Sequence, residues 1–288
     1  MKKLLFQLDT DTYTSVFDTV VGYDGGADHV IGHPNVTPDN IAPLVEGAIF
    51  TRAPKEKKNT AIFVGGSDLS AGQLVFDAII KQYFAGFRVS VMIDSNGSNT
   101  TAAAGVATLA KNSSLKGKKA VVLAGTGPVG QRAAVMLSKE GAKVSLTSRS
   151  KSRALAACNA MHEQYGVEIE PLEAIDNQQR ASTITDAQIV FASGAAGVNL
   201  LDEQHWSDLS PLEMLIDANA TPLLGISGVD SIDRSMKRHG KLCWGAIGFG
   251  VLKLALHKAC IESLFKSNDL ILDAEQIYAQ AVEMTKVE

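Results

Sequence analysis

The sequence predicts an α/β fold in two domains, each a mostly parallel sheet with helices on both faces. Three observations support this. Short apolar runs alternate with helical patterns along the chain, the arrangement that yields strand–helix–strand units. A glycine fingerprint, Gly125-Thr126-Gly127-Pro128-Val129-Gly130, stands at mid-chain between an apolar run and a helical pattern. A nucleotide-binding unit therefore starts there, and the residues before it form something else. Finally, 288 residues with 45% hydrophobic content exceed one average domain and can fill two cores.

Taken in order, Leu4–Leu8 reads as a strand, Ser15–Val21 as a short helix and His29–Ile31 as a short strand. Thr37-Pro38-Asp39 reads as a helix start, with Pro at the first helical position and an apolar face at Ile41, Leu44 and Val45. Thr60–Val64 is a buried strand. Asp68 opens a helix whose Leu74, Val75, Ala78 and Ile79 recur at helical spacing, and Arg88–Ile93 is a further strand. The polar stretch Asp94–Thr101 is a break before an alanine-rich helix that runs to about Lys111. The fingerprint strand follows, then strands at Lys143–Thr147, Gln188–Ala192, Glu213–Ile216 and Lys241–Trp244. A helix follows Gly245, Gly248 and Gly250 and runs to about Phe265, and Asp273-x-x-Gln276 caps a last helix. The domain junction is expected near residue 97. That gives a first domain at 1–97, joined by the C-terminal helix 273–288, and a second at 98–272.

Composition excludes several classes. The net charge is −4 and Lys and Arg are dispersed, so nothing points to nucleic acid. The apolar stretches are too short to span a bilayer. Met1-Lys2-Lys3-Leu4-Leu5 begins like a secretory leader, but Asp9 and Asp11 end it before an apolar region forms. Three distant cysteines, Cys158, Cys243 and Cys260, give neither a disulfide framework nor a zinc site and suit a reducing cytoplasm.

In the fingerprint, Gly125 is expected to permit the tight turn, Gly127 to admit a pyrophosphate, and Gly130 to let helix and strand pack closely. The end of the next strand selects the nucleotide. NAD enzymes usually carry Asp or Glu there for the ribose 2′-hydroxyl; here it reads Thr147-Ser148-Arg149-Ser150-Lys151. A carboxylate would repel a 2′-phosphate, whereas a guanidinium binds it through two hydrogen bonds. NADP is therefore expected, held by Arg149 with Ser148 and Lys151. Gly194 and Ala195 sit in a small-residue loop that either covers the ribose and nicotinamide or is an ordinary turn. Asn219 either meets the nicotinamide or simply forms the turn before Pro222. The glycines from Gly245 to Gly250 allow a ring to approach. Lys253 and His257 share a helix face, where a solvated pair is the plain alternative. The loop Gly22–His29 packs Asp24, Asp28 and His29 among three glycines. It suits a polar ring or a capped turn, and it is a poor metal site, so no metal is expected. The remaining histidines sit singly.

These segments carry a resemblance. Phe6–Asp11, Ser15–Asp18, Val21–His29, Asn35–Asn40, Asp94–Thr101 and Gly125–Gly130 closely resemble the NADP-dependent methylene-tetrahydromethanopterin/methylene-tetrahydrofolate dehydrogenases of methylotrophic bacteria, essentially from end to end. One departure is Ser-Arg-Ser-Lys at 148–151, where Gly-Arg-Lys is expected. The resemblance implies an N-terminal αβα domain like that of amino-acid dehydrogenases for the pterin, a Rossmann domain for NADP, and a cleft between them for the reaction. It also implies a trimer-based homo-oligomer. The substrate is expected to meet Asp18, Asp24, Asp28, His29, Asn96, Thr100 and Thr101, with Lys253 orienting it. Hydride leaves the one-carbon bridge and substrate nitrogens stabilise the methenyl cation, so no catalytic triad is required. Two alternatives stay open: an NADP-binding sensor without turnover, and a shikimate- or amino-acid-type dehydrogenase. The latter is disfavoured because Lys55, Lys57 and Lys58 lie in a stretch that reads as solvated.

Overall fold

A computed structural model describes residues 1–287. In chain order its elements are β1 (Leu4–Asp9), α1 (Val16–Asp24), β2 (His29–His33), α2 (Ala42–Phe50), β3 (Thr60–Gly65), α3 (Leu69–Lys81), β4 (Ser90–Ile93), α4 (Ser98–Asn112) and β5 (Lys119–Leu123). There follow α5 (Pro128–Lys139), β6 (Lys143–Ser148), α6 (Lys151–Tyr165), β7 (Ile169–Glu173), α7 (Asn177–Thr183), β8 (Ile189–Ala192) and β9 (Met214–Asp217). Last come β10 (Met236–Arg238), β11 (Lys241–Trp244), α8 (Ala246–Leu264), β12 (Ile271–Leu272) and α9 (Ala274–Val287). Contacts divide the chain into one unit of 1–100 with 254–281 and another of 101–253 with 282–288. Both divisions of the main body fall inside helices, in α4 and in α8.

The first unit is built on a parallel sheet of order β12-β4-β3-β1-β2. Thr60–Gly65 is buried throughout, which explains why it reads as an unbroken apolar run rather than an alternating one. Leu8, Ile62, Val64, Val91 and Ile93 pack with Val45 and Ile49 of α2 and Val75 and Ile79 of α3. Ser15 caps α1 and Asp68 caps α3, each accepting an amide three residues on, from Asp18 and Ala71. The second helix differs from expectation. It begins at Ala42, because residues 38–40 form a turn in which Thr37 N–H donates to the Asn40 side chain at 2.8 Å. Leu74, expected in the core, is 60% exposed. Lys57 is buried, not solvated. Its ammonium donates to the Ile49 carbonyl and lies 4.7 Å from the Phe87 ring centroid, and burial pushes its pKa down.

The second unit holds a sheet of order β10-β11-β9-β8-β5-β6-β7, parallel except for β10 against β11. Dropping β10, this is the doubly wound order whose direction of winding reverses between β5 and β8. Helix α4 is buried along Ala102, Ala103, Ala104, Val106 and Ala107. Gly105 lets it approach the sheet, since a Cβ there would stand 2.7 Å from the Phe191 ring. Helix α8 begins at Ala246, before two of the three glycines read as its lead-in. Gly245 and Gly248 face backbone rather than a ring: their Cβ atoms would lie 2.0 and 1.8 Å from the Asp230 and Asp233 carbonyl oxygens. The same segment also caps the helix: the Asp233 carbonyl accepts Gly245 N–H, and the Ser231 carbonyl accepts Ile247 and Gly248 N–H.

Candidate functional site

In the second unit the ligand crevice of such a sheet lies at the carboxyl ends of β5 and β8. The glycine turn occupies that position, and each glycine has its own reason. Gly125 packs on the sheet, with a Cβ 2.7 Å from Leu146 Cγ. Gly130 packs on the turn, with a Cβ 2.5 Å from Gly125 Cα and from Ser193 Oγ. Gly127 has nothing within 4 Å of its Cβ position, and it caps α5 directly before Pro128. There the first-turn N–H groups of Val129 and Gly130 lack helical acceptors, as they do in any helix, and favour an anion; Pro128 has none to offer. The tight turn itself is made at Ala124, with φ +52°, and not at Gly125. Thr147 fixes this conformation by accepting Ala124 N–H on Oγ1 at 3.0 Å and Gly125 N–H on its carbonyl at 2.9 Å.

The same strand leads directly to the selecting turn. Ser148 is buried and accepts Ser150 N–H at 3.3 Å, Ser150 caps α6, and Arg149 between them is exposed. Lys151 differs from Arg149 in that its ammonium is engaged on the Pro171 carbonyl of β7. No carboxylate follows β6 within this turn. Open space at Gly127, uncapped amides and a basic turn together fit a dinucleotide carrying a 2′-phosphate.

Two further loops border the crevice. Gly194 packs under Leu200, whose Cδ1 would be 2.9 Å from a Cβ, and Ala195 is exposed. Asn219 is buried and spent within its own loop. Its amide donates to the Leu223 carbonyl at 2.8 Å and its oxygen accepts Thr221 N–H at 2.9 Å. The reading of Asn219 as a turn former is the one that this geometry favours. Beneath it Asp217 accepts the amides of Asn219 and Ile226, each at 3.0 Å, and burial raises its pKa.

In the first unit the predicted substrate residues fall at two opposite ends of the sheet. Asp24, Asp28 and His29 lie between α1 and β2, at the amino end of the strands. Asp24 pairs with Lys258 at 2.7 Å. Asp28 accepts Lys3 N–H at 2.7 Å, and that amide holds its carboxyl below the usual range. Asp18, Asn96 and Thr100 lie near the carboxyl end, whereas Thr101, the next residue of α4, falls in the second unit. A Cβ on Gly65 would stand 3.3 Å from Asp9 Oδ2 and 3.6 Å from Asp18 Oδ2. Asn96 is exposed with φ +55°, a conformation Asn tolerates, and its N–H donates to the Gly66 carbonyl at 2.6 Å.

Thr100 is fully buried, so its hydroxyl braces the interior. It donates to Asp94 Oδ2 at 2.6 Å while its N–H donates to Oδ1 at 3.0 Å. His257 is also fully buried and not solvated. Its Nδ1 lies 3.8 Å from Asp94 Oδ2 and its ring stacks on Phe63 at 5.5 Å. Lys253, one turn earlier on α8, is partly exposed and lies on the other side of the division between units. Asp94 and Arg180 (the latter on α7) are among the buried charges to which the sequence reading gave no role. Asp94 opens the polar segment 94–101, Arg180 belongs to no recognisable spacing, and burial is what distinguishes both. Among the described residues no group of three or more metal-ligating side chains stands together, and no helix is long and apolar enough to cross a membrane.

A Rossmann sheet with an open glycine turn and a basic selector, preceded by a second α/β unit, defines an NAD(P)-dependent dehydrogenase. Residues 16–96 match the family described as methylene-tetrahydromethanopterin dehydrogenase, N-terminal, and residues 107–221 match shikimate/quinate 5-dehydrogenase. The bifunctional protein MdtA of Methylorubrum extorquens is 53% identical over 285 residues, covering 98% of this chain and 99% of that one. The NAD(P)-dependent methylenetetrahydromethanopterin dehydrogenase of the same organism is 28% identical over 293 residues, again covering 98% and 99%. A ligand-free 5-ketofructose reductase from Gluconobacter shares the fold at a TM-score of 0.53, with 14% identity and 99% of each chain covered. The chain belongs to the methylene-tetrahydromethanopterin dehydrogenase family of methylotrophs.

Proposed function

We infer that this enzyme catalyses reversible hydride transfer from 5,10-methylene-tetrahydromethanopterin to NADP, giving the methenyl cation in one-carbon metabolism. Methylene-tetrahydrofolate is a second substrate in this reading. What carries it is the match of residues 16–96 to the pterin dehydrogenases, in a chain whose glycine turn is intact.

NADP, when bound, supplies the hydride acceptor. The chain's own residues bind and orient. The N–H groups of Gly127, Val129 and Gly130 hold the pyrophosphate, and Arg149 with Ser148 holds the 2′-phosphate. Asp18 accepts N–H groups of the pterin edge, while Asn96 presents a polar group from the same end of the first sheet; Thr101, expected beside them, belongs to the second unit. Asp94, Thr100 and His257 support them from the interior. Asp24, Asp28 and His29 anchor the opposite end of that sheet. Lys253 orients the substrate and transfers no proton, because a cation beside a developing cation would slow the step. Substrate nitrogens stabilise the product, so the protein's contribution is proximity and orientation, up to about 7–11 kcal/mol in favourable cases.

The direct test is methenyl formation followed by absorbance, with both pterins crossed against NADP and NAD. Turnover with NADP is expected, and none with either pterin overturns the reading. Arg149→Ala removes charge-assisted hydrogen bonds worth about 1.5–3 kcal/mol, so kcat/KM for NADP should fall by roughly one to two orders of magnitude while that for NAD hardly changes. Lys253→Ala should lower kcat/KM for the pterin, and an unchanged value would remove its orienting role. The enzyme is read as a cytoplasmic homo-oligomer, and a monomer mass by light scattering would contradict the oligomer.

A further inference from the structure

Arg180 is a buried cation on a seven-residue helix, 9% exposed, and no motif accounts for it. Its position is nevertheless specific. Nε donates to the Leu200 carbonyl at 2.5 Å, in the loop after β8. Nη1 reaches the Ala174 carbonyl at 3.5 Å, in the loop after β7. The Ala174 N–H in turn donates to the Ser148 carbonyl at 2.8 Å. One guanidinium thus links the end of β6, through the N–H and carbonyl of Ala174, to the loop that holds Gly194 and Ala195. Leu200 and Leu201 N–H both donate to the Gly225 carbonyl, which extends the linkage to the loop above Asp217.

The charges around Arg180 are also informative. Asp176 and Asp202 stabilise it. Burial, first, and the positive charge of Arg149 work against it, and the balance leaves its pKa lowered. A buried charge is tolerated only when it is paired, and here two cations act on each other across the end of β6. A phosphate dianion at Arg149 relieves that repulsion, and a ribose hydroxyl does not.

We propose that Arg180 is a positioning residue for NADP selection, fixing the Ser148–Arg149 turn through Ala174. The proposal rests on the assignment of Arg149 to that phosphate. It predicts that Arg180 acts on the difference between the two nucleotides and not on nucleotide binding in general.

The test uses two adenosine fragments, 2′,5′-ADP and 5′-AMP, whose dissociation constants are measured by calorimetry on the full chain. Wild type should bind 2′,5′-ADP at least about tenfold tighter, a difference of about 1.4 kcal/mol. Arg180→Met should reduce that ratio at least fivefold while changing 5′-AMP affinity less than twofold. Arg180→Lys keeps the charge but not the two-carbonyl bridge, and should reduce the ratio about threefold. It also serves alone if the methionine variant does not fold. A ratio unchanged in the variants, or equal loss for both fragments, overturns the proposal and leaves Arg149 standing. No preference in wild type overturns both.

Discussion

A methyl group added at Gly127 and one added at Gly130, three residues on, should have opposite effects. At Gly127 it meets no protein atom and the backbone is extended, with φ −79° and ψ 170°, so Gly127→Ala should leave stability within about 0.5 kcal/mol of wild type. In the function proposed above it fills the space left for the pyrophosphate, so NADP should bind roughly tenfold more weakly, by the relation of about 1.4 kcal/mol per decade. At Gly130 the methyl collides with Gly125 and Ser193, an overpacked contact that should cost about 1–3 kcal/mol. Denaturant titration and nucleotide calorimetry on the two variants separate these outcomes; equal loss of stability in both would contradict this account. The three glycines were legible in the sequence, but the turn's left-handed residue was not. Ala124 carries that conformation because Thr147 holds its amide and the next one, a long-range constraint with no local signature. Lys57 and His257 escaped for the same reason. A lysine in a charged stretch and a histidine one turn past a lysine both read as solvated, and only packing on Phe87 and Phe63 puts them inside.

Elements with strong periodicity were legible, and the edge strands β7 and β12 were not. β7 reads Ile-Glu-Pro-Leu-Glu, where a proline and two carboxylates argue against a strand, yet it is the edge of its sheet, the place where proline is tolerated. β12 has only two residues, too few for any pattern. It closes the other sheet nonetheless, pairing Ile271 with Val91 and Leu272 with Met92. The link before it is braced by Ser90 Oγ–H donating to the Ser267 carbonyl at 3.0 Å and Asn268 Nδ2–H donating to Arg88 at 3.0 Å. Leu272 is buried in this edge. Leu272→Ala should therefore destabilise the first unit by about 2–4 kcal/mol, read as an earlier unfolding midpoint, and a loss below about 0.5 kcal/mol would show that the pairing contributes little.

Across the whole molecule, the two-unit organisation follows from where the sequence is apolar and where it is glycine-rich. The precise division does not, because it lies inside α4 and α8, helices whose patterns run on without a break. All three cysteines are buried and unpaired. Burial pushes Cys158 up to about 11 and Cys243 to about 12, and raises Cys260 as well. Thiolate is the reactive form, so at pH 8 the native enzyme should resist thiol reagents and expose three thiols together in denaturant. Rapid labelling of one thiol in native buffer would reveal local opening at that cysteine.

The discontinuity of the first unit also has a consequence for the order of synthesis. Its central strands are made first, but the strand that completes its sheet arrives about 170 residues later, after the whole stretch 101–253 has emerged. At about 5–20 residues per second, that edge stays unpaired for roughly ten to thirty seconds on the ribosome. The contiguous stretch 101–253 of the second unit is free to fold in that interval, so the first unit's sheet is completed only after most of the second unit has been made.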